Sequence, residues 1–201
     1  MRLASPPAPA APARTGVWVG IAAITMSFAA YTSAMLVRAG SAPDWQHFRL
    51  PSILYANTVL LLASSGTLEL ARARIAGANG AIPIAEAWGR AVPAAARSWL
   101  MATLALGALF VAGQIVAWRD LIAQGLFLAT GPSSAFFYVF TGVHAVHLLG
   151  GMAAVGYVVW RLGPAGAAAP NRMNALSAAS LYWHFMGALW VYLLLILTIR
   201  M

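Results

Sequence analysis

The chain of 201 residues has no cysteine, no lysine and only four acidic residues. The absence of cysteine excludes disulfide bonds, thiolate nucleophiles, iron–sulfur clusters and zinc sites with cysteine ligands. Charged residues make up 8% of the sequence, against about 25% in a typical soluble domain. A soluble fold could not cover its surface with so few charges. The composition therefore excludes most soluble enzymes and nucleic-acid-binding modules, and no nucleic acid is expected as a partner.

Apolar residues dominate the chain, at 62% of all positions and a mean hydropathy of +0.79. A helix that spans a bilayer needs about 20 consecutive, mostly apolar residues. Five stretches meet this requirement, at residues 15–37, 51–71, 98–117, 134–160 and 175–199. The sequence therefore predicts an all-α integral membrane protein with five transmembrane helices, in which residues 15–201 form the membrane domain.

Two segments outside these spans have a composition of their own. Residues 1–14 are rich in proline and alanine and lack the apolar stretch of a signal peptide, so they are predicted to form a disordered cytoplasmic tail. Residues 120–133 contain an apolar run that is too short to cross a bilayer. This run is predicted to lie at the outer membrane interface as a half-helix.

The basic residues predict an orientation. All twelve are arginines, and they stand singly between apolar blocks rather than in a patch. With the N-terminus inside, eight of them lie on the cytoplasmic side, and Arg38, Arg49, Arg119 and Arg200 lie outside. Cytoplasmic loops carry the excess of arginine in membrane proteins. The N-terminus is therefore predicted to be inside and the C-terminus outside.

Polar groups inside the spans are the first candidates for function, because they are costly in lipid. Three histidines qualify: His144 and His147, which are three residues apart in the fourth span, and His184 in the fifth. Imidazole is a common ligand of haem and of metals, and His184 is the partner that a bis-histidine haem on His144 would need. The alternative is that all three histidines form hydrogen bonds between helices, and the residues alone leave both interpretations open.

The second span offers one carboxylate, Glu69, followed by Arg72 at the third position after it. Glu69 could carry protons or hold an ion, or it could form an ion pair with Arg72 near the membrane interface. The ion pair is the interpretation that the spacing favours. Asn57 and Thr58 belong to a series of small and hydroxyl-bearing residues in the same span, which is typical of closely packed helices.

Several motifs resemble those of subunit III of the haem-copper oxidases. Phe136-Phe137 is followed by Thr141-Gly142 and by His144 and His147, with Gly151 after them, and a second motif combines Tyr182-Trp183-His184-Phe185 with Trp190. Asn57-Thr58, Gln114 and Arg161 also match the pattern. The resemblance covers about residues 16–199 and is closest to the short, five-helix bacterial form.

The resemblance implies a non-catalytic accessory subunit of a respiratory terminal oxidase, in a bacterial inner membrane. A subunit of this kind binds no haem or copper itself. It packs on catalytic subunit I, which carries the haem and copper, stabilises that subunit and supports proton uptake during dioxygen reduction. The complex can belong to a larger respiratory supercomplex.

For the chain itself, the resemblance implies that the first two helices stand against the last three around a V-shaped cleft filled with phospholipid. The three histidines become structural, hydrogen-bonding residues. Arg161, together with Arg72 and Arg74, becomes a candidate for binding lipid phosphate.

The chain also departs from the family pattern. Ile24, Ser177 and Gly187 stand where the family commonly has carboxylates, so a role in proton collection is in doubt.

Three alternatives to this function stay open. The chain could be an accessory subunit of a quinol oxidase, an accessory subunit of a nitric oxide reductase, or a membrane cytochrome b with His144 and His184 as axial ligands.

Overall fold

A computed structural model describes residues 12–41, 43–79, 94–162 and 172–201. Within these residues the chain forms five helices and no strand. The helices are α1 (Pro12–Ser41), α2 (Ile53–Asn79), α3 (Ala94–Ala123), α4 (Pro132–Arg161) and α5 (Arg172–Arg200). Each is long and apolar enough to cross a membrane. The predicted all-α fold with five membrane-spanning helices is confirmed.

The helices extend beyond the predicted spans. α2 continues to Asn79 rather than ending at 71, so Glu69 lies well inside the helix instead of in its last turn. α1 begins at Pro12, a residue type suited to the first turn of a helix. The predicted tail of residues 1–14 otherwise lies outside the described residues.

Residues 120–133 do not form the predicted half-helix. α3 runs on to Ala123, and the chain then turns at Gly125, whose φ of 79° is a left-handed conformation that glycine adopts readily. The Leu126 amide donates to the carbonyl of Leu121, and the Gly125 amide donates to that of Ile122. This bond pattern is a helix-terminating motif, and it uses the apolar residues to close α3 rather than to begin a new helix.

Four helices form a closed ring. α2 packs on α3, α3 on α4, α4 on α5 and α5 on α2, and we call these four helices the four-helix ring. α1 lies outside the ring, against α4 and α5, and makes no contact with α2 in the part of the chain that is described. The observed packing corrects the predicted grouping of the first two helices against the last three around a V-shaped cleft. α2 belongs with α3.

The connection between α1 and α2 explains this separation, because it crosses the C-terminal end of α5. The indole Nε1 of Trp45 donates to the Arg200 carbonyl over 3.0 Å. The Phe48 amide donates to the Met201 carbonyl over 2.9 Å. The chain therefore passes from one side of α5 to the other before α2 begins.

Candidate functional site

His144 lies in the interior of the four-helix ring, with none of its surface exposed. Its ring centroid is 5.9 Å from that of Phe110 on α3 and 5.1 Å from that of Trp190 on α5. Neither ring nitrogen has a hydrogen-bond partner. Aromatic rings of α3 and α5 therefore pack against an imidazole whose two nitrogens make no hydrogen bond within the described residues.

His147 faces a different neighbour. Its ring lies 6.2 Å from that of Phe28 on α1, and its Nδ1 donates to the Val143 carbonyl one turn earlier over 2.8 Å. The phenol of Tyr182 donates to the backbone carbonyl of His147 over 3.0 Å. His147 therefore lies where α4 meets α1, and its backbone joins α4 to α5.

His184 is part of an ion-pair cluster. Its Nε2 lies 2.7 Å from Oε1 of Glu69, and the guanidinium of Arg72 donates to both oxygens of Glu69 over 2.8 and 3.0 Å. The hydroxyl of Ser180 donates to the same carboxylate over 3.3 Å. The pair that the sequence predicted between Glu69 and Arg72 is confirmed. The sequence did not predict that His184 is a second partner of Glu69. A carboxylate within a span needs a hydrogen-bonding or charged partner, and the three histidines in the spans were the available candidates.

The structure does not bring His144 and His184 together as the axial ligands of one haem. His144 points into the ring, where Trp190 is its neighbour on α5. His184 bonds Glu69 on the outer side of α2 and α5, with 38% of its side chain exposed. Among the described residues, no three side chains of histidine, aspartate or glutamate are grouped to hold a metal ion.

Other motif residues join neighbouring helices. The indole of Trp118 donates to Thr141, that of Trp183 donates to Ser64, and that of Trp190 donates to Thr58, each over 3.0 or 3.1 Å. Gly151 provides space for aromatic rings, because a Cβ there would lie 3.2 Å from Tyr182 and 3.4 Å from Trp183. Gly142 borders open space, so its packing does not require glycine. Phe185 is partly buried against the core.

Asn57 and Gln114 are buried amides. The side chain of Asn57 lies directly on Gly113 of α3, at a distance that leaves no room for a Cβ. All four polar atoms of the two amides lack a hydrogen-bond partner. The prediction that Asn57 belongs to a closely packed face of α2 agrees with this contact, but its unbonded amide was not predicted.

The candidate lipid-binding arginines lie at one end of the bundle, near the ends of α2 and α4. Arg161 stands 5.3 Å above the ring of Tyr157. Arg72 bonds Glu69, and Arg74 is exposed. Their binding of lipid stays a prediction.

The positions where the family commonly has carboxylates lie in packed surroundings. Ile24 is buried in the apolar core. Gly187 is buried, and a Cβ there would lie 3.6 Å from Oγ of Ser65. Ser177 is half-buried on α5. The carboxylate that meets His184 comes from α2 instead, as Glu69.

These features define a class of protein, a multi-pass helical membrane protein in which the described polar side chains chiefly join one helix to another. The comparisons identify the family. Residues 46–200 match the family model for cytochrome c oxidase subunit III, and the chain belongs to this family.

Curated relatives agree with the family match. A cytochrome bo(3) ubiquinol oxidase subunit 3 of Pseudomonas aeruginosa is 32% identical over 184 residues, 88% of this chain and 79% of the relative. A cytochrome c oxidase subunit 3 of Synechocystis is 26% identical over 185 residues, 90% of this chain and 72% of the relative. A probable cytochrome c oxidase subunit 3 of Nocardia farcinica is 33% identical over 95 residues. That match covers 47% of this chain and 46% of the relative, so the chain spans about half the length of this and several similar relatives.

Proposed function

We propose that the chain is a non-catalytic subunit III of a haem-copper terminal oxidase in a bacterial inner membrane. In this proposal it packs on the catalytic subunit, which holds the haem and copper, stabilises that subunit and supports its proton uptake. Phospholipids at Arg161, Arg72 and Arg74, and membership of a respiratory supercomplex, belong to the same proposal. The family match supports it. The relative named as a ubiquinol oxidase subunit 3 supports a quinol oxidase as the alternative complex.

The observation that carries the proposal is the depth of the Glu69 cluster. At a rise of about 1.5 Å per residue, Glu69 lies about 24 Å from the start of α2 and about 15 Å from its end. His184 lies about 18 Å from the start of α5 and about 24 Å from its end. A hydrocarbon core of about 30 Å centred on these helices would include both side chains.

The cluster is also exposed. The exposed fractions of the side chains are 48% for Glu69, 42% for Arg72 and 38% for His184. Charged groups within a span are costly in lipid and almost always face protein or water. The exposed side of α2 and α5 around this cluster is therefore suited to a protein partner, and we call it the Glu69 face. It includes Leu62, Gly66 and Glu69 on α2 and His184, Ala188 and Val191 on α5.

The charges of the cluster indicate the chemistry of the partner. One carboxylate faces the guanidinium of Arg72 and the imidazole of His184, so donors outnumber acceptors. A transmembrane helix of the catalytic subunit that presents carbonyl, hydroxyl or carboxylate oxygens would complement this surface. The surrounding apolar side chains would pack against the same helix.

The lack of cysteine makes a cross-linking test direct. Leu62→Cys places a single thiol on the Glu69 face. Leu149→Cys is the matched control, because Leu62 and Leu149 are 55% and 50% exposed and α4 makes no contact with α2 in the described structure. Each variant is produced with the oxidase genes of its source and treated with a thiol-directed photo-cross-linker in membranes.

We expect Leu62→Cys to cross-link to the catalytic subunit and Leu149→Cys to do so much less. A chain that co-purifies with the oxidase but cross-links only from the control position contradicts the choice of face. A chain that does not co-purify with a haem-copper catalytic subunit contradicts the proposed function itself.

A further inference from the structure

We infer that the four-helix ring encloses a water-binding site formed by Asn57 on α2, Gln114 on α3 and His144 on α4. We call these three side chains the polar layer. The inference does not depend on the proposed function, because it concerns only the interior of this chain.

Contacts between helices place the three side chains at one depth. Asn57 lies on Gly113 of α3, the residue next to Gln114. Across the α3–α4 contact, Trp118 bonds Thr141 and Phe110 packs on His144. Gln114 stands midway between Trp118 and Phe110 on α3, so it lies level with the turn of α4 that carries Thr141 and His144.

All three side chains are almost completely buried, with exposed fractions of 0% for Asn57, 1% for Gln114 and 0% for His144. Together they carry six polar atoms, and none of the six has a hydrogen-bond partner within the described structure. Buried polar side-chain atoms are hydrogen-bonded in the large majority of cases. Six unbonded atoms at one depth therefore call for a partner that is not a side chain of these helices.

Nearby polar groups do not supply this partner. The indole nitrogen of Trp190, beside His144, donates to Thr58. The hydroxyl of Thr141 donates to the Phe137 carbonyl and accepts from Trp118. Phe110, the other neighbour of His144, offers only an apolar ring.

Water fits the chemistry of this layer. Each amide offers donors and acceptors, and a neutral imidazole offers one of each. A water molecule donates two hydrogen bonds and accepts two, and buried waters typically make about three bonds to otherwise unsatisfied groups. The helix interior is too apolar for an unpaired ion. Two waters shared by Asn57, Gln114 and His144, at about three bonds each, would supply partners for all six atoms.

Radiolytic hydroxyl labelling tests the inference on the full chain in detergent, because buried residues are labelled where a bound water touches them. Trp190 and Trp183 form a matched pair, with exposed fractions of 1% and 0%, but Trp183 bonds Ser64 away from the polar layer. We expect labelling at Trp190 and His144, weak labelling at Trp183, and loss of the Trp190 signal in Gln114→Met. Equal labelling of the two tryptophans, or no labelling at Trp190, overturns the water site.

The sign of a stability change gives a second test. If Gln114 bonds a water, Gln114→Met removes hydrogen bonds and lowers Tm by about 2–4 °C in a chain of this size. If its amide is merely unsatisfied, the same substitution removes a penalty and raises Tm. Leu121→Met, on the same buried row of α3, controls for introducing methionine and should change Tm little. An unchanged or raised Tm for Gln114→Met contradicts the inference.

Discussion

Nε2 of His184 lies 2.7 Å from Oε1 of Glu69, and this contact joins the middle of α5 to the middle of α2. The two residues are 115 positions apart in the chain. The bond fixes the relative depth of two neighbours in the four-helix ring, and it places a carboxylate, a guanidinium and an imidazole together within a span. In the proposed function, the same cluster is the polar centre of the surface that meets the catalytic subunit.

Glu69→Gln should destabilise the bundle, because the amide weakens the bonds to both Arg72 and His184 in an apolar surrounding. Hydrogen bonds between membrane helices contribute about 0.6 kcal/mol on average and up to about 1.7 kcal/mol, and a loss in that range is expected. Asp44→Asn is the control, since Asp44 pairs with Arg38 at an exposed helix end, where ion pairs contribute about 0–1 kcal/mol. Thermal unfolding in detergent compares the two. Equal shifts would show that the Glu69 cluster behaves as an ordinary surface pair.

Gly113→Ala should destabilise the contact between α2 and α3. The new Cβ would overlap the side-chain amide of Asn57, so this buried side chain or one of the two helices must shift, at a cost of about 1–3 kcal/mol. Gly142→Ala is the control, because a Cβ there meets no atom within 4 Å. Asn57→Ala in the Gly113→Ala background should recover part of the loss. A Gly142→Ala variant as unstable as Gly113→Ala, measured by Tm, would contradict this description of the packing.

Thr58→Val should destabilise the chain by about 1–3 kcal/mol, because it leaves the buried N–H of Trp190 without its acceptor. Thr25→Val is matched in shape, but the hydroxyl of Thr25 bonds only the Ile21 carbonyl of its own helix on an exposed side of α1. Its effect on Tm should be near zero. Equal Tm values for the two variants would count against the interhelical bond.

His144→Ala tests the alternative that the chain is a cytochrome b. Because His144 is enclosed by Phe110 and Trp190 and is not opposite His184, its removal should leave the haem content of the purified preparation unchanged. Pyridine haemochrome assays of the wild type and the variant provide the measurement. Loss of haem from the chain in His144→Ala would establish an axial ligand instead of a structural histidine.

The five helices could be predicted from the sequence because a backbone in lipid must satisfy its own hydrogen bonds, which leaves long apolar helices as the simplest solution. The end of α2 was harder to predict. Arg72 and Arg74 interrupt the apolar stretch, yet the helix continues to Asn79, since long arginine side chains can extend toward a polar surface while their backbone stays helical.

The pairing of side chains across helices could not be predicted from the sequence. Periodicity places His144 and His147 within one turn of each other, but it does not say which helix lies opposite each of them. The path of residues 43–52 over the end of α5 decides that α1 and α2 are separated. With α2 beside α5 and out of contact with α1 in the described residues, Glu69 meets His184 rather than a residue of α1.

The most direct measurement of the central claim is a tagged purification in mild detergent, followed by reduced-minus-oxidised visible spectra before and after the chain is separated from its partners. The account predicts that haem bands arrive with a large co-purifying subunit and stay with that subunit when this chain is removed. Haem that remains with the isolated chain, at about one per molecule, would contradict the account and assign the histidines as axial ligands.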